Sequence, residues 1–183
     1  LLGQQTILTY SPWFGLEAIS SVIKTMTNDS YKNFSNQLDN LIFNKEVFKQ
    51  HISTIKYRIE KKEVATHIYD TIYGISGFTR YLIFRKDTPK SKALLDECIV
   101  LLEELLTINL EENNIPNCYI PYQNQSELDI KKYSEGHLDI GLSHGISGPL
   151  VALSMYYLMI QKDKKVESAI YNTARFLMSL AHK

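Results

Sequence analysis

The chain contains 183 residues, of which 44% are hydrophobic and 22% are charged, with 20 basic and 20 acidic side chains. This length and composition predict one globular domain that is large enough to bury a single core. A formal net charge of zero gives no bulk electrostatic attraction to nucleic acid, so a nucleic-acid partner is disfavoured.

The cysteine count and the hydropathy of the sequence exclude two further classes of protein, disulfide-rich scaffolds and helical membrane-spanning proteins. The two cysteines, Cys98 and Cys118, are too few for a disulfide scaffold and form no C-x-x-C pair. They suit a reducing cytoplasm. The sequence has no run of about eighteen consecutive apolar residues, so it predicts no membrane-spanning helix. Because the start has no initiator Met, we expect a fragment of a longer protein.

Helical periodicity dominates the first part of the chain. A turn at residues 12–15 (Pro-Trp-Phe-Gly) precedes an apolar run over residues 16–26. Hydrophobic residues then recur at helical spacing over residues 30–63, which predicts two helices that meet near Asn44.

The clearest helix is predicted over residues 88–113. Thr88 is its expected N-cap, and Pro89 takes the first helical position, where a missing N–H is tolerated. Its apolar side chains form one wide stripe that includes Cys98, so this helix should be amphipathic. The loop that follows, to residue 136, is longer than usual and should be functional or mobile, with a locally extended stretch at residues 117–123.

Two further helices are predicted towards the end. Residues 150–160 are apolar all round, which predicts a helix buried on all sides. Residues 166–180 carry one apolar stripe and should form an amphipathic helix.

An internal repeat organises these elements. The turns at residues 74–77 and 145–148 have the same sequence, Gly-Ile-Ser-Gly, and an apolar helical run follows each. The turn that ends at Gly15 is a weaker third copy. Repeats of this kind predict an all-α architecture in which helices after Gly15, Gly77 and Gly148 form an inner layer, with the helix from Thr88 outside.

Two polar residues accompany the glycine turns. His144 lies in a stretch with three glycines, and Asp70 precedes the other turn by four residues. A turn histidine and a capping Asp are the ordinary interpretations of such residues. The repeat, however, places both at the same end of two inner helices, where a carboxylate and an imidazole could form an acid-base pair.

The stretch at residues 141–148 (Gly-Leu-Ser-His-Gly-Ile-Ser-Gly) resembles the G-L-x-H-G-x-x-G signature of the lanthionine synthetase C-like cyclases. Residues 69–77 resemble the upstream Asp-containing glycine turn of that family, in its nisin-type and subtilin-type members. The resemblance implies an α/α toroid, incomplete in this chain, with Asp70 and His144 as catalytic residues. Residues 12–15 depart from the Ser-Gly-x-x-Gly pattern of the family.

The resemblance also implies a reaction and a cofactor. Such enzymes add a peptide cysteine thiol across dehydroalanine or dehydrobutyrine, and Zn²⁺ supplies the thiolate. The zinc ligands of the family, two cysteines and a histidine, lie downstream of the matched residues. Cys98 and Cys118 match none of them. We therefore expect residues 1–183 to form one partial toroid domain that lacks its zinc-ligand half, binds no zinc and is inactive alone.

The implied partner is a dehydrated lantibiotic precursor peptide, together with the dehydratase and the transporter of the same pathway. Such a complex would bring a cytoplasmic protein to the membrane.

Two alternatives to a cyclase stay open. One is a zinc-less cyclase-like module that binds peptide, which the gene sequence beyond residue 183 would distinguish. The other is a toroid glycosidase, which needs two carboxylates flanking a sugar, whereas the repeats place only Asp70.

Overall fold

The computed structural model describes residues 10–26, 29–109 and 115–181, and this part of the chain is mainly α-helical. The helices are α1 (Gly15–Thr25), α2 (Lys32–Ile42), α3 (Lys45–Glu60), α4 (Thr66–Tyr69), α5 (Ile75–Phe84), α6 (Pro89–Leu106), α7 (Glu127–Ile130), α8 (Ser147–Met159) and α9 (Lys164–Leu180). Two antiparallel pairs join β1 (Ile108–Asn109) to β2 (Ile115–Pro116) and β3 (Ile120–Pro121) to β4 (Gly136–His137). Two 3₁₀ turns are Asp29–Tyr31 and Tyr122–Asn124.

The long helices form two layers. Helix α5 packs against α8 on one side and against α6 behind it, while α1 pairs with α2 and α8 pairs with α9. Helix α6 also contacts α3 and α9. Helix α1 lies next to α5, because the Tyr81 hydroxyl and Arg85 both donate hydrogen bonds to the Ser20 hydroxyl, at 3.0 Å each. The helices that follow the glycine turns, α1, α5 and α8, therefore share one layer, and the amphipathic helices cover it, as the repeat predicted.

Helix α5 is the centre of the core. Eight of its ten residues are buried, among them Phe78 and Leu82. Burial of a large apolar side chain contributes about 1.5–3 kcal/mol. Because α5 is anchored in the core, the turn that leads directly into it has a fixed position.

The other two inner helices are less buried than the sequence predicted. Helix α8 exposes Val151, Leu158 and Met159, so the prediction that it is buried on all sides is wrong. Helix α1 exposes Ile19 and Val22. The reason is position. Among the described helices, α5 has an inner-layer neighbour on each side, whereas α1 and α8 each have α5 as their single inner-layer neighbour.

The predicted boundary near Asn44 is confirmed. The Asn44 side chain accepts hydrogen bonds from the N–H groups of Glu46 and Val47 at 3.1 and 3.2 Å and so caps α3. An asparagine oxygen at this position satisfies N–H groups that have no partner within the helix.

Helix α6 begins at Pro89 as predicted but ends at Leu106, so its predicted extension towards residue 113 is wrong. Thr107 is extended, and Ile108 pairs with Pro116 across the first hairpin. The β-branched Thr107 and Ile108 favour extended backbone over a further helical turn. Residues 110–114 lie outside the described residues.

Glu17 is a fully buried acid at the first turn of α1, and both of its oxygens lack a hydrogen-bond partner among the described residues. Burial raises the pKa of Glu17 to about 8, although the N–H groups of Glu17 and Ser11 act in the opposite direction. The folded state therefore holds a proton that the unfolded state releases above about pH 4.5, so stability falls as pH rises from about 4.5 to about 8.

We expect Glu17→Gln to stabilise the chain by about 3 kcal/mol at pH 8, because glutamine fills the same space without ionising. The gain should vanish near pH 4, where both states of the wild-type acid are protonated. Thermal denaturation of both proteins at each pH measures this difference. An equal gain at pH 4 and pH 8 would show that ionisation is not its cause.

Gly77 lies at the start of α5 and lets this helix approach the turn that precedes it closely. A Cβ at this position would overlap the backbone oxygen of Thr71. We expect Gly77→Ala to destabilise the fold by about 1–3 kcal/mol, because backbone must move to relieve the overlap. Gly141→Ala is the matched control, since its Cβ would meet only the flexible Asp139 side chain, at 3.0 Å. Denaturant unfolding should separate the two variants, and equal midpoints would contradict the prediction.

Candidate active site

Asp70 organises the turn between α4 and α5. One of its carboxylate oxygens, Oδ1, accepts hydrogen bonds from the N–H groups of Tyr73 and Gly74 at 2.5 and 2.8 Å. The hydroxyl of Ser76 donates to the backbone oxygen of Tyr69 across the same turn. Asp70 is thus the turn-forming residue that its sequence position also suggested.

The second turn precedes α8 and is closed in a similar way. Asp139 Oδ1 accepts from the N–H of Gly141 at 2.7 Å, and its backbone oxygen accepts from the N–H of Ile146 at 2.8 Å. Gly145 donates from its N–H to the backbone oxygen of Gly141 at 3.0 Å. His144 therefore sits on a tight, internally bonded loop.

Thr71 joins the two turns. Its N–H donates to the backbone oxygen of Ser143 at 3.0 Å, and its hydroxyl donates to the backbone oxygen of Leu142 at 2.9 Å. Gly148 makes room for this contact, because a Cβ there would lie 2.7 Å from the Thr71 hydroxyl. These two hydrogen bonds to backbone oxygens thus fix Asp70 relative to His144.

The two predicted site residues meet at this junction. His144 Nδ1 lies 2.7 Å from Asp70 Oδ2. The Asp70 side chain is 1% exposed, whereas that of His144 is 48% exposed. A carboxylate on Nδ1 favours the tautomer whose Nδ1 carries the proton, which leaves Nε2 as the basic nitrogen. His144 Nε2 has no hydrogen-bond partner among the residues that the structure describes.

Aromatic rings line the exposed side of the pair. The ring of Tyr73 stacks near that of His144, with centroids 6.3 Å apart, and stacks on Phe14 at 5.2 Å. Tyr73 was not identified from the sequence, although it lies inside the Asp-containing turn. The hydrogen bond from its N–H to Asp70 holds it there. Its position inside that turn is the sequence feature that could have identified it.

A cavity of about 330 Å³ opens beside the pair, beneath the long loop that follows α6. It is lined by Ala65, Thr66, His67, Asp70, Tyr73, Ile120, Asn124, Gln125, Ser126, Asp129, His137 and His144. Burial, and then Arg58, lower the pKa of His67, while Asp70 acts in the opposite direction. His67 is therefore neutral at pH 7.

The described residues do not form a metal site. No group of three or more His, Cys, Asp or Glu side chains within residues 10–26, 29–109 and 115–181 could hold an ion. Cys98 lies in the core on α6, and Cys118 is buried in the segment between β2 and β3. These thiols do not fit the zinc chemistry that the resemblance implies.

Both thiols should be unreactive in the folded chain. Burial raises the pKa of Cys118 to about 12 and that of Cys98 further still. Because the thiolate is the nucleophile, we expect alkylation at pH 8 to be more than about 100-fold slower than for a free peptide cysteine. Unfolding should restore both rates. Mass spectrometry of alkylated native and denatured chain checks this, and rapid native labelling of Cys98 would contradict it.

Comparisons with known proteins agree with this architecture. The chain shows 25% sequence identity to the solved structure of a protein named nisin cyclase, with a TM-score of 0.71. The match covers 91% of this chain and 40% of nisin cyclase. The search of curated protein sequences gave no match. Within the described residues, no helix is both long and apolar enough to cross a membrane.

The two helical layers, with glycine turns gathered at one end, form part of an α/α toroid. The family model described as lanthionine synthetase C-like protein matches residues 16–183. The chain therefore belongs to the lanthionine synthetase C-like family.

Proposed function

We propose that this chain is part of a cyclase that adds a peptide cysteine thiol across dehydroalanine or dehydrobutyrine and so closes a thioether ring. Family membership supports an enzyme of the lanthionine synthetase type. The observation that carries the proposal is the 2.7 Å contact between His144 Nδ1 and Asp70 Oδ2 at the end of the inner helices.

The addition needs a proton carrier but no net change in protons. The cysteine sulfur loses a proton and bonds to the β-carbon, the electrons of the double bond move to the α-carbon, and that carbon takes up a proton. A single imidazole can accept the first proton and deliver the second. His144 suits this role, because its Nδ1 is held by Asp70 and its ring is half exposed.

In this proposal Asp70 acts through His144 rather than on substrate. Its two oxygens already accept from Tyr73 and Gly74 and contact His144 Nδ1, and its side chain is buried. A carboxylate in this position orients the ring and stabilises the imidazolium that forms during proton transfer. Asp70 is therefore a positioning residue.

Zinc, the precursor peptide and the pathway partners belong to the proposal for the complete gene product. A zinc ion there would activate the thiol but would need ligands from outside the described residues, so no step above depends on it. The dehydrated precursor peptide is the proposed substrate of a cytoplasmic enzyme, and the dehydratase and the transporter of the same pathway are its proposed partners.

The complete gene product tests the proposal. Incubated with a synthetic peptide that carries one dehydroalanine and one cysteine, it should remove the free thiol without changing the peptide mass. Alkylation followed by mass spectrometry detects that loss. The 183-residue chain alone should leave the thiol free. A complete product that binds the peptide but closes no ring would instead indicate a peptide-binding module.

A further inference from the structure

The cavity beside Asp70 and His144 has a second wall that the proposed chemistry does not use. Gln125 and His137 form it, with Gln125 Nε2 lying 2.7 Å from His137 Nδ1. The pairing of β3 with β4 brings His137 opposite Ile120, and the ring of Tyr133 stacks on it at 4.9 Å. This wall is therefore held in place from two sides.

Gln125 leaves one polar atom unpartnered in the cavity wall. Its Oε1 is buried and has no hydrogen-bond partner among the described residues. Exchanging the amide nitrogen and oxygen would only transfer the deficit to the other atom. A buried polar group without a partner is unfavourable, so a ligand that supplies the missing hydrogen bond should be bound in preference to one that does not.

Most other polar groups of the cavity already bond within the protein. Asn124 Nδ2 donates to the backbone oxygen of Val64 at 3.2 Å, which ties the loop to the segment before α4. Ser126 donates from its hydroxyl to Asp129 Oδ2 at 2.6 Å. The groups that remain for a ligand include the Gln125 amide, the free sides of the imidazole rings and the hydroxyls of Thr66 and Tyr73.

These groups suit a ligand that forms hydrogen bonds. The described lining residues include no lysine or arginine, which disfavours an anion, and the lining carboxylates of Asp70 and Asp129 already accept hydrogen bonds inside the protein. A peptide main chain carries one donor and one acceptor at each residue other than proline. A volume of about 330 Å³ is at the small end of ligand sites and suits a short peptide segment.

We propose that this cavity, with Gln125 and His137 as its recognition pair, binds a main-chain segment of the substrate peptide next to the residue that reacts at His144. The inference rests on the proposed function for the identity of the peptide. Its added content is a binding subsite on the long loop, separate from the proton-transfer pair.

The test measures peptide binding apart from reaction, in the complete gene product. The probe is a synthetic peptide with alanine in place of dehydroalanine, so that no ring can form. Loss of one or two hydrogen bonds predicts about 3- to 10-fold weaker binding by Gln125→Ala in calorimetric titration. His137→Phe should weaken binding similarly, because phenylalanine can stack on Tyr133 but offers no nitrogen.

Gln123→Ala is the matched control, because Gln123 is exposed on the same loop and does not line the cavity. Its affinity should stay within about twofold of wild type. Equal affinities for Gln125→Ala and Gln123→Ala would overturn the subsite. If the substituted proteins fail to fold, a diazirine-bearing version of the peptide should crosslink to residues 120–137 of the wild type, and crosslinks elsewhere alone would overturn it.

Ring closure by the same preparations separates this inference from the proposed function. Wild type that closes rings while Gln125→Ala binds normally would overturn the subsite alone. Wild type that closes no ring, with binding still weakened by Gln125→Ala, would contradict the cyclase and support the subsite. Absence of peptide binding by wild type would overturn both.

Discussion

His144→Asn should slow thioether ring closure by about 10²–10⁴-fold in the complete gene product, because asparagine cannot carry a proton between sulfur and carbon. Peptide affinity should change little, since the substitution removes proton transfer and leaves the loop backbone in place. The His144 ring is half exposed, so the folded state should also be retained. The expected result is therefore a loss in kcat with little change in KM.

Ser143→Ala is the matched control for this variant. Ser143 is exposed and accepts from Thr71 through its backbone oxygen, which alanine keeps. Initial rates of thiol loss from the dehydroalanine peptide, measured for the three proteins, give the comparison. Wild-type rates in His144→Asn would remove His144 from the mechanism, and an equal loss in Ser143→Ala would assign the effect to the loop.

The meeting of Asp70 and His144 could be predicted because it depends on local sequence. Identical glycine turns before two apolar helices place both turns at one end of a layer, wherever the rest of the chain lies. The ordinary interpretation of Asp70 as a turn residue is also correct, because its two oxygens have different partners. The structural and functional interpretations of this residue therefore do not exclude each other. The catalytic roles of both residues stay predictions.

The errors arose where tertiary position overrides local pattern. Apolar composition predicted a fully buried α8, but burial depends on neighbours, and α8 has a described inner neighbour on one side only. Periodicity likewise extended α6 beyond Leu106, where pairing of Ile108 with Pro116 competes with the helix. Such pairing depends on a second segment, residues 115–116, which helical periodicity does not reveal.

The cavity could not be predicted for the same reason. Gln125 and His137 carry no motif, and the β3–β4 pairing brings them to the site. Each strand has two residues, too few for an alternating pattern to be recognised. The expectation that the long loop is functional or mobile stays a prediction, and no sequence pattern indicated which of its side chains face the catalytic candidates.

Asp70→Asn should slow ring closure by about 10²–10⁴-fold although Asp70 does not touch substrate in the proposed mechanism. The Asp70 carboxylate serves three donors: the N–H groups of Tyr73 and Gly74, and His144 Nδ1. An amide has one oxygen and one NH₂ group, so either orientation sets a donor against a donor. Turning the NH₂ group towards His144 favours the tautomer with its proton on Nε2, which removes the base. The opposite orientation leaves backbone N–H groups buried and unpaired, which costs about 1–3 kcal/mol.

A positioning role gives this variant a signature that structural damage alone does not. Asp70→Asn should lower kcat while KM stays close to wild type, because the amide no longer holds the His144 ring in its reactive tautomer. Asp139→Asn is the control, since it caps a turn at Gly141 yet does not contact His144. If Asp70→Asn lost rate only in proportion to its unfolded fraction, Asp70 would be a turn residue alone. The His144 ring would then have to be oriented by the hydrogen bonds of Thr71 to the backbone of the same loop, which involve no charged group.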